Sequence, residues 1–118
     1  TNILRDIRED ADRGRIYLPA EDLERFGVSP AELREGRRSE RFVELMRFEA
    51  GRARAYYNES QPLIELVDRR SRSSLWALIE IYSRLLRRIE QTNYDVLDRR
   101  VRLSALEKSW IVLRAMLS

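Results

Sequence analysis

The sequence contains no cysteine and no histidine among its 118 residues. The absence of cysteine excludes a disulfide scaffold, thiolate catalysis and cysteine-ligated zinc or iron–sulfur centres. The absence of histidine excludes histidine-based catalytic triads and most zinc and haem sites. Any metal bound by these residues must therefore be held through oxygen atoms, which favours a hard cation such as Mg²⁺ or Ca²⁺.

Glycine and proline are scarce, with four and three residues, which argues against β-rich and fibrous proteins. No apolar run approaches the ~20 residues of a membrane span, and no signal-peptide pattern opens the chain. Hydrophobic residues make up 43% and charged residues 36% of the sequence, as in a globular protein rather than a disordered tail. The length indicates one domain or part of one. Since a helical pattern starts at the first residue without an N-cap, we expect a piece of a longer protein.

The charge of the chain is nearly balanced, because 23 basic residues face 20 acidic ones. All basic residues except Lys108 are arginine, and acidic residues are interspersed among them, as Asp22 and Glu24 are beside Arg25. A nucleic-acid-binding protein would concentrate its positive charge in one patch. We therefore expect a solvated, paired surface and no nucleic-acid partner. An arginine-rich nucleic-acid module is the alternative, which a steep salt dependence of affinity would support.

The hydrophobic spacing is helical throughout, and no segment has the two-residue period of a strand. The sequence therefore predicts an all-α fold with long helices and short connections. Capping boxes are predicted to begin two of the helices, one formed by Ser29 and Glu32 and the other by Ser104 and Glu107. Pro62 should kink or split the longest helix. The predicted helices cover about residues 1–12, 20–26, 30–35, 40–67, 75–97 and 105–117, and a polar linker covers residues 68–74.

One face of the first predicted helix concentrates acidic and amide side chains. At ~100° per residue, an arc of about 100° holds Asn2, Asp6, Glu9, Asp10 and Arg13. Carboxylates this close repel one another by a few tenths of a kcal/mol per pair, and a divalent cation would offset that repulsion. Mg²⁺ binds one or two carboxylates and completes its octahedron with water and phosphate oxygens, so the spacing suits a Mg²⁺–diphosphate site. The alternative is a solvated acidic turn, whereas the pattern of an EF-hand loop is absent.

Residues 2–10 and 13–19 together resemble the second aspartate-rich motif of the squalene/phytoene synthases, which are head-to-head prenyl-diphosphate synthases. Residues 52–57 are similar to the Ala-Arg-x-Tyr/Phe helix of that family, and residues 81–96 are similar to its penultimate helix. Residues 99–101 then lead to Lys108. The resemblance covers essentially the whole chain in the expected order, and the joint pattern is far more specific than any one piece.

This resemblance implies the all-α isoprenoid (terpenoid) synthase fold, with residues 1–118 as the C-terminal part of a single domain. In that fold two aspartate-rich helices face each other across an apolar pocket and bind Mg²⁺, or Mn²⁺ in its place. The implied reaction joins two farnesyl or geranylgeranyl diphosphates head-to-head through a cyclopropyl intermediate. The implied product is squalene-type or phytoene-type, in carotenoid or hopanoid biosynthesis. Because squalene formation requires NADPH and phytoene formation does not, the use of NADPH stays open as well.

The partners implied by the resemblance are the prenyl diphosphate substrates and the missing N-terminal half of the same protein. The first aspartate-rich motif of the family does not occur in this chain, so we expect the 118 residues alone to be inactive. The implied location is the cytoplasm of a bacterium, with peripheral association with a membrane because the products are hydrocarbons. The alternative in another functional class is a non-catalytic relative acting as an assembly or binding protein, which would be expected to lack the aspartates.

Several residues acquire roles from the resemblance. Asp6 and Asp10 become catalytic metal ligands, and Asn2 and Glu9 become further ligands that support the metal–diphosphate cluster. Tyr82 becomes a catalytic residue near the diphosphate. The implied substrate-binding residues are Asn2, Arg5, Glu9, Arg13, Tyr17, Arg99 and Arg100.

Some of these residues also have a structural interpretation. The helical angle of Arg5 aims it away from Asp6, and Tyr82 falls in the apolar stripe of its helix, where it would be packed in the core. Arg99 and Arg100 could instead form surface ion pairs with Asp95 or Asp98, and only one of the two arginines is expected to reach the diphosphate. Tyr17 could form a pocket rim or anchor its turn.

A further carboxylate lies within the apolar stripe of the longest predicted helix. Glu49 falls between Met46 and Ala53, and a buried carboxylate without a partner is costly. We therefore expect Glu49 to pair with Arg52.

Overall fold

The computed structural model describes residues 1–97 and 100–117. Within these residues the regular structure is helical, without a strand, which confirms the predicted all-α class. The helices are α1 (Asn2–Arg5), α2 (Ile7–Asp12), α3 (Ala20–Phe26), α4 (Pro30–Glu35), α5 (Glu40–Ser60), α6 (Leu63–Leu66), α7 (Arg69–Gln91) and α8 (Ala105–Leu117). In the described part of the chain, no helix is long and apolar enough to cross a membrane.

The predicted capping box of Ser104 and Glu107 is present, whereas Ser29 and Glu32 form only the serine half of theirs, because the Glu32 carboxylate pairs with Arg41 instead. The hydroxyl of Ser29 accepts a hydrogen bond from the Glu32 amide at 3.2 Å, with Pro30 as the first residue of α4. At α8, the Glu107 amide donates to the Ser104 hydroxyl at 3.1 Å, and a Glu107 carboxylate oxygen lies 3.5 Å from the Ser104 amide. The serine bond at α4 and the reciprocal bonds at α8 satisfy amides that a helix start leaves unpaired.

The first predicted helix is interrupted at Asp6, which has φ −99° and ψ 15° and separates α1 from α2. The prediction of one continuous helix over residues 1–12 is wrong at this point. Main-chain bonds from the Asp6 amide to Asn2 and from the Asp10 amide to Asp6, both 2.9 Å, continue across the break. The interruption is therefore local, and the side chains of α1 and α2 remain on a shared surface.

The bounds of α7 differ most from the prediction. The polar residues 68–74, predicted as a linker, instead contain the start of the helix, because the Asp68 carboxylate accepts a hydrogen bond from the Ser71 amide at 2.8 Å. The helix ends at Gln91 rather than near residue 97, since Asn93 and Tyr94 have left-handed φ angles of 55° and 63°. Pro62 splits the longest predicted helix into α5 and α6, as expected.

The core lies where α5 and α7 pack against each other, with α1 and α3 against α5 and α8 against α7. Helix α4 packs against α2. The largest completely buried side chains are Phe42, Leu33, Leu45, Met46, Leu86, Ile89 and Ile111.

Candidate active site

The junction of α1 and α2 carries an acidic face, formed by Asp6, Glu9 and Asp10. An arginine from a distant part of the chain lies near it. Asp6 lies at the break between the two helices, and Glu9 lies in the first turn of α2. The Nε of Arg100 is 3.8 Å from Asp6 Oδ1, and its Nη1 is 3.7 Å from Glu9 Oε1. One guanidinium therefore lies near both carboxylates, as expected if this face binds a positive charge.

Arg5 makes the closest contact with the acidic face. Its Nε donates to Asp6 Oδ1 at 2.8 Å and its Nη2 donates to Asp6 Oδ2 at 3.0 Å. The expectation that Arg5 points away from Asp6 is wrong, because the helical angle fixes the Cβ direction but not the end of a long, flexible side chain, and the backbone bends at Asp6. The hydrogen bonds from Arg5 are the main cause that lowers the pKa of Asp6, so this carboxylate stays ionised below its usual range.

The donor set fits a hard cation in its chemistry. Asp6, Glu9 and Asp10 offer only oxygen atoms, as does the exposed Asn2 through its amide carbonyl. Among the described residues, no group of three or more acidic side chains is close enough to hold a metal ion alone. A cation on this face would take one or two ligands from α1 and α2, and water or phosphate oxygens would complete its coordination.

The segment after α7 places Arg100 at the acidic face, so the surface ion pairs of Arg100 are made with Asp6 and Glu9. Arg99 and Asp98, which the sequence offered as alternatives, lie outside the described residues. Arg13 is exposed, and its positive charge contributes to the lowered pKa of Asp6. Three positive charges, those of Arg5, Arg13 and Arg100, therefore lie near Asp6.

Tyr82 is partly buried and packs against the core, yet it also lies near Arg5. The pKa of the Arg5 guanidinium is raised mainly by its hydrogen bonds to Asp6 and to a smaller extent by Tyr82. Both interpretations of Tyr82, as a core residue and as a neighbour of the site, thus agree with its position. Tyr57 is beside it, and hydrogen-bonds the Thr1 hydroxyl. Burial raises the pKa of Tyr57.

Tyr57 is a candidate that the sequence-based search for site residues missed. Of the two adjacent tyrosines on α5, Tyr56 is 64% exposed and Tyr57 is the half-buried residue. The available signal was its spacing, because Tyr57 lies seven residues, or two helical turns, after the buried Ala50.

Tyr17 is separate from this tyrosine pair and is 53% exposed. It lines a crevice with Asp10 and also a mostly apolar cleft of about 260 Å³ with Glu49 and Arg52. Its position agrees with the expected pocket rim, although the turn that carries it is also anchored by the buried Leu18.

Glu49 pairs with Arg52, as predicted, at 3.6 Å. The structure adds Asp22 from α3, which is 3.2 Å from the same Arg52 nitrogen. Burial first, and the neighbouring Asp22 second, raise the pKa of Glu49 to about 7. One Glu49 oxygen is buried without a hydrogen-bond partner. This cluster joins α3 to α5, and its carboxylates do not belong to the acidic face of α1 and α2.

Comparison with known proteins gives consistent results. The family model described as squalene/phytoene synthase matches residues 1–107. The chain is 46% identical over 100 residues to the 15-cis-phytoene synthase of Synechocystis sp., covering 85% of this chain and 30% of that protein. It is 41% identical over 121 residues to the phytoene synthase of Mycobacterium bovis, covering 100% of this chain and 40% of that protein.

A solved structure, described as a dehydrosqualene synthase in complex with ligand, matches the fold with a TM-score of 0.82 and 32% sequence identity. The match covers 98% of this chain and 41% of the solved one. It confirms the isoprenoid synthase fold expected from the sequence. The chain spans about a third of the length of the first curated relatives that it matches.

Proposed function

The chain belongs to the squalene/phytoene synthase family, and from that premise we propose that it is the C-terminal part of a head-to-head prenyltransferase. The observation that carries the proposal is the convergence of Asp6 and Glu9 on the guanidinium of Arg100, with Arg5 keeping Asp6 ionised. Carboxylates and arginines on one face are the groups needed to bind a diphosphate together with a divalent cation.

In this proposal Asp6 and Asp10 hold Mg²⁺, or Mn²⁺, with Glu9 and Asn2 as supporting oxygen ligands. The bound metal supplies positive charge that stabilises the departing diphosphate. Arg100 donates hydrogen bonds to diphosphate oxygens, because a guanidinium presents a fixed fork of donors to phosphate.

Three further residues border the reacting groups in the proposed mechanism. Arg5 fixes the orientation of the Asp6 carboxylate through two hydrogen bonds. Tyr82 lies near Arg5 and Tyr57 lies near Tyr82, and both present aromatic surface that would exclude water from an allylic cation and stabilise it by about 0.5–2 kcal/mol. The C–O bond of one substrate would break as its diphosphate leaves, and the double bond of the second substrate would attack the resulting allylic cation. Loss of a proton would close a cyclopropane ring that still carries the second diphosphate. Departure of that diphosphate, followed by rearrangement and loss of another proton, would give a phytoene-type product.

The relatives favour one product class. Those compared above are phytoene synthases, at 41–46% identity, and the solved neighbour is a dehydrosqualene synthase at 32%. We therefore favour geranylgeranyl diphosphate as the substrate and a phytoene-type product, which needs no NADPH. The cyanobacterial and mycobacterial relatives also support a bacterial origin. The rest of the protein would supply the first aspartate-rich motif, and we expect residues 1–118 alone to give no turnover.

The test uses the full-length protein that contains this chain. It is incubated with Mg²⁺ and either farnesyl or geranylgeranyl diphosphate, and the extracted lipids are analysed by mass spectrometry. We expect a 40-carbon product that disappears in an Asp6→Ala, Asp10→Ala variant. The control is Asp12→Ala, since Asp12 lies on the same helix but pairs with Arg8 at the surface. A 30-carbon product would change the substrate assignment, and no product from either substrate would contradict the proposed activity.

A further inference from the structure

The chain makes an unfavourable turn immediately before it returns to the acidic face. Asn93 and Tyr94 both adopt left-handed φ angles, 55° and 63°. For residues with a Cβ this conformation is disfavoured, and for a bulky aromatic residue it is rare. The Tyr94 amide donates to the Ile89 carbonyl at 2.9 Å, which ends α7 but leaves the Asn93 carbonyl directed away from the helix.

Arg38 binds that carbonyl. Both its Nε, at 3.1 Å, and its Nη2 donate to the oxygen of Asn93, although the two residues are 55 positions apart in sequence. Arg38 lies in the short connection between α4 and α5. Two donors from one guanidinium thus stabilise a turn whose backbone conformation is unfavourable in isolation.

The turn determines where the following residues run. Val96 and Leu97 are buried directly after it, and Val101 and Leu103 are buried beyond Arg100. The exposed Arg100 therefore stands on a segment whose described flanks are fixed in the core. Because Val96 and Leu97 enter the core directly after the turn, a change in the turn would shift these anchors, and the segment that carries Arg100 would shift with them.

From this geometry we infer that Arg38 is a positioning residue for the diphosphate site. By holding the left-handed turn at Asn93 and Tyr94, it directs Arg100 to the carboxylates of Asp6 and Glu9. Arg38 itself touches none of these groups in the contacts described. The inference rests on the proposed function, since it assigns Arg38 a role in binding the diphosphate that Arg100 would contact.

The test measures the affinity of the full-length protein for inorganic pyrophosphate in the presence of Mg²⁺, by calorimetry. Arg100→Ala should weaken binding by about 10- to 100-fold, as expected for loss of a charge-assisted contact. Arg38→Ala should weaken it by about three- to tenfold, because Arg100 remains but is less well placed. The matched control is Arg37→Ala, since Arg37 pairs with Glu35 at the surface, and it should leave the affinity unchanged.

The double variant separates a positioning role from a general structural role. In the Arg100→Ala background, Arg38→Ala should cause no further loss, because the group that it positions is absent. Asn93→Gly should restore affinity to the Arg38→Ala protein, since glycine adopts a positive φ without the clamp. Arg38→Lys, which keeps the charge and one donor, should recover part of the affinity.

Each failure has a distinct signature. If Arg100→Ala weakens binding but Arg38→Ala does not, the inference about Arg38 is overturned and the proposed diphosphate site stands. Equal losses from Arg38→Ala with and without Arg100 would also overturn it. If Arg100→Ala leaves pyrophosphate affinity unchanged while Asp6→Ala abolishes it, the role of Arg100, and with it the inference, is wrong. If neither Arg100→Ala nor Asp6→Ala affects the affinity for pyrophosphate, the proposed diphosphate site itself is wrong.

Discussion

Arginine–carboxylate pairs occur both on the acidic face of α1 and α2 and between the long helices, but the two regions differ in the number of arginines for each carboxylate. Between α7 and α8, Arg88 donates to both oxygens of Glu107, at 2.8 and 2.9 Å. Between α5 and α7, Arg54 likewise uses two nitrogens for the two oxygens of Glu90. Each of these carboxylates has one guanidinium, and each pair joins two helices.

On the acidic face the charges are shared unequally. Asp6 has Arg5 within hydrogen-bond distance and Arg100 at 3.8 Å, while Glu9 has Arg100 at 3.7 Å. Contacts of 3.7–3.8 Å are too long for hydrogen bonds, so the carboxylates retain capacity for a closer cation. The comparison indicates that matched pairs between helices stabilise the fold, whereas the unevenly shared charges near α1 are available to bind ligands.

The largest expected effect comes from removing charge on the acidic face. Under the proposed prenyltransferase activity, Asp6→Asn should reduce turnover of the full-length protein by about 100- to 1,000-fold, because the carboxylate that we propose as a metal ligand is lost. Its thermal midpoint should fall only slightly, because Asp6 lies outside the core and the variant loses only the charge-assisted part of its pairing with Arg5. Steady-state kinetics and a thermal denaturation scan measure the two quantities.

Glu107→Gln provides the reciprocal control for Asp6→Asn. Hydrogen bonding from Arg88 lowers the pKa of Glu107 from 4.5 to about 2, so the ionised carboxylate stabilises the fold above pH ~4.5 and this contribution is lost as the pH falls towards 2. The variant should lack that acid-dependent loss and should keep its turnover. A large loss of stability in Asp6→Asn together with a loss of turnover in Glu107→Gln would reverse the comparison.

Much of the fold could be predicted from local sequence signals. The capping residues Ser29 and Ser104 and the break at Pro62 act on their immediate neighbours, so their effects are visible in the sequence. The end of α7 could not be predicted, because the left-handed turn at Asn93 is held by Arg38, which comes from another part of the chain. The start of α7 was missed because its first turn is polar and resembles a linker.

The candidate site shows the same division. Helical periodicity was enough to place Asp6 and Glu9 on one face, since this depends only on rise and rotation. It could not show that Arg100 meets them, because that contact depends on the tertiary path after α7. It also gave the wrong direction for Arg5, whose long side chain reaches back to Asp6.

A second, smaller effect should come from the Glu49 cluster, where carboxylates outnumber arginines in a buried setting. The pKa of Glu49 is raised from 4.5 to about 7, so the folded state binds a proton that the unfolded state has already released. Stability should therefore fall as the pH rises from about 4.5 to about 7, by up to about 3 kcal/mol, and level off above that.

Glu49→Gln should remove this pH dependence and be more stable than the unchanged protein at pH 8. Chemical denaturation at pH 5, 6, 7 and 8 measures the effect. Glu44→Gln, an exposed change on the same helix, should leave the slope as it was. If Glu49→Gln retained the slope, or lost stability at pH 8, the cluster would be a matched structural group like the pair between α7 and α8.

The smallest effect is expected from glycine substitutions that test how α4 packs against α2. Gly36 and Gly27 end α4 and α3 with similar left-handed φ angles, 72° and 69°. Each should lose about 1 kcal/mol of stability when changed to alanine, because a Cβ disfavours this conformation. At Gly36, however, the added Cβ would lie 2.0 Å from a guanidinium nitrogen of Arg8 on α2, whereas at Gly27 the nearest atom is 3.7 Å away.

Since the Arg8 side chain is flexible, it can move aside, and the additional cost of Gly36→Ala over Gly27→Ala should be only a few tenths of a kcal/mol. The displaced guanidinium would also leave its surface pair with Asp12. Adding Arg8→Ala to each glycine variant should therefore make the two alanine costs equal, as measured by urea denaturation. A difference that persisted without Arg8 would place the strain in the backbone at Gly36, and would show that α4 is fixed to α2 more rigidly than the flexible side-chain contact implies.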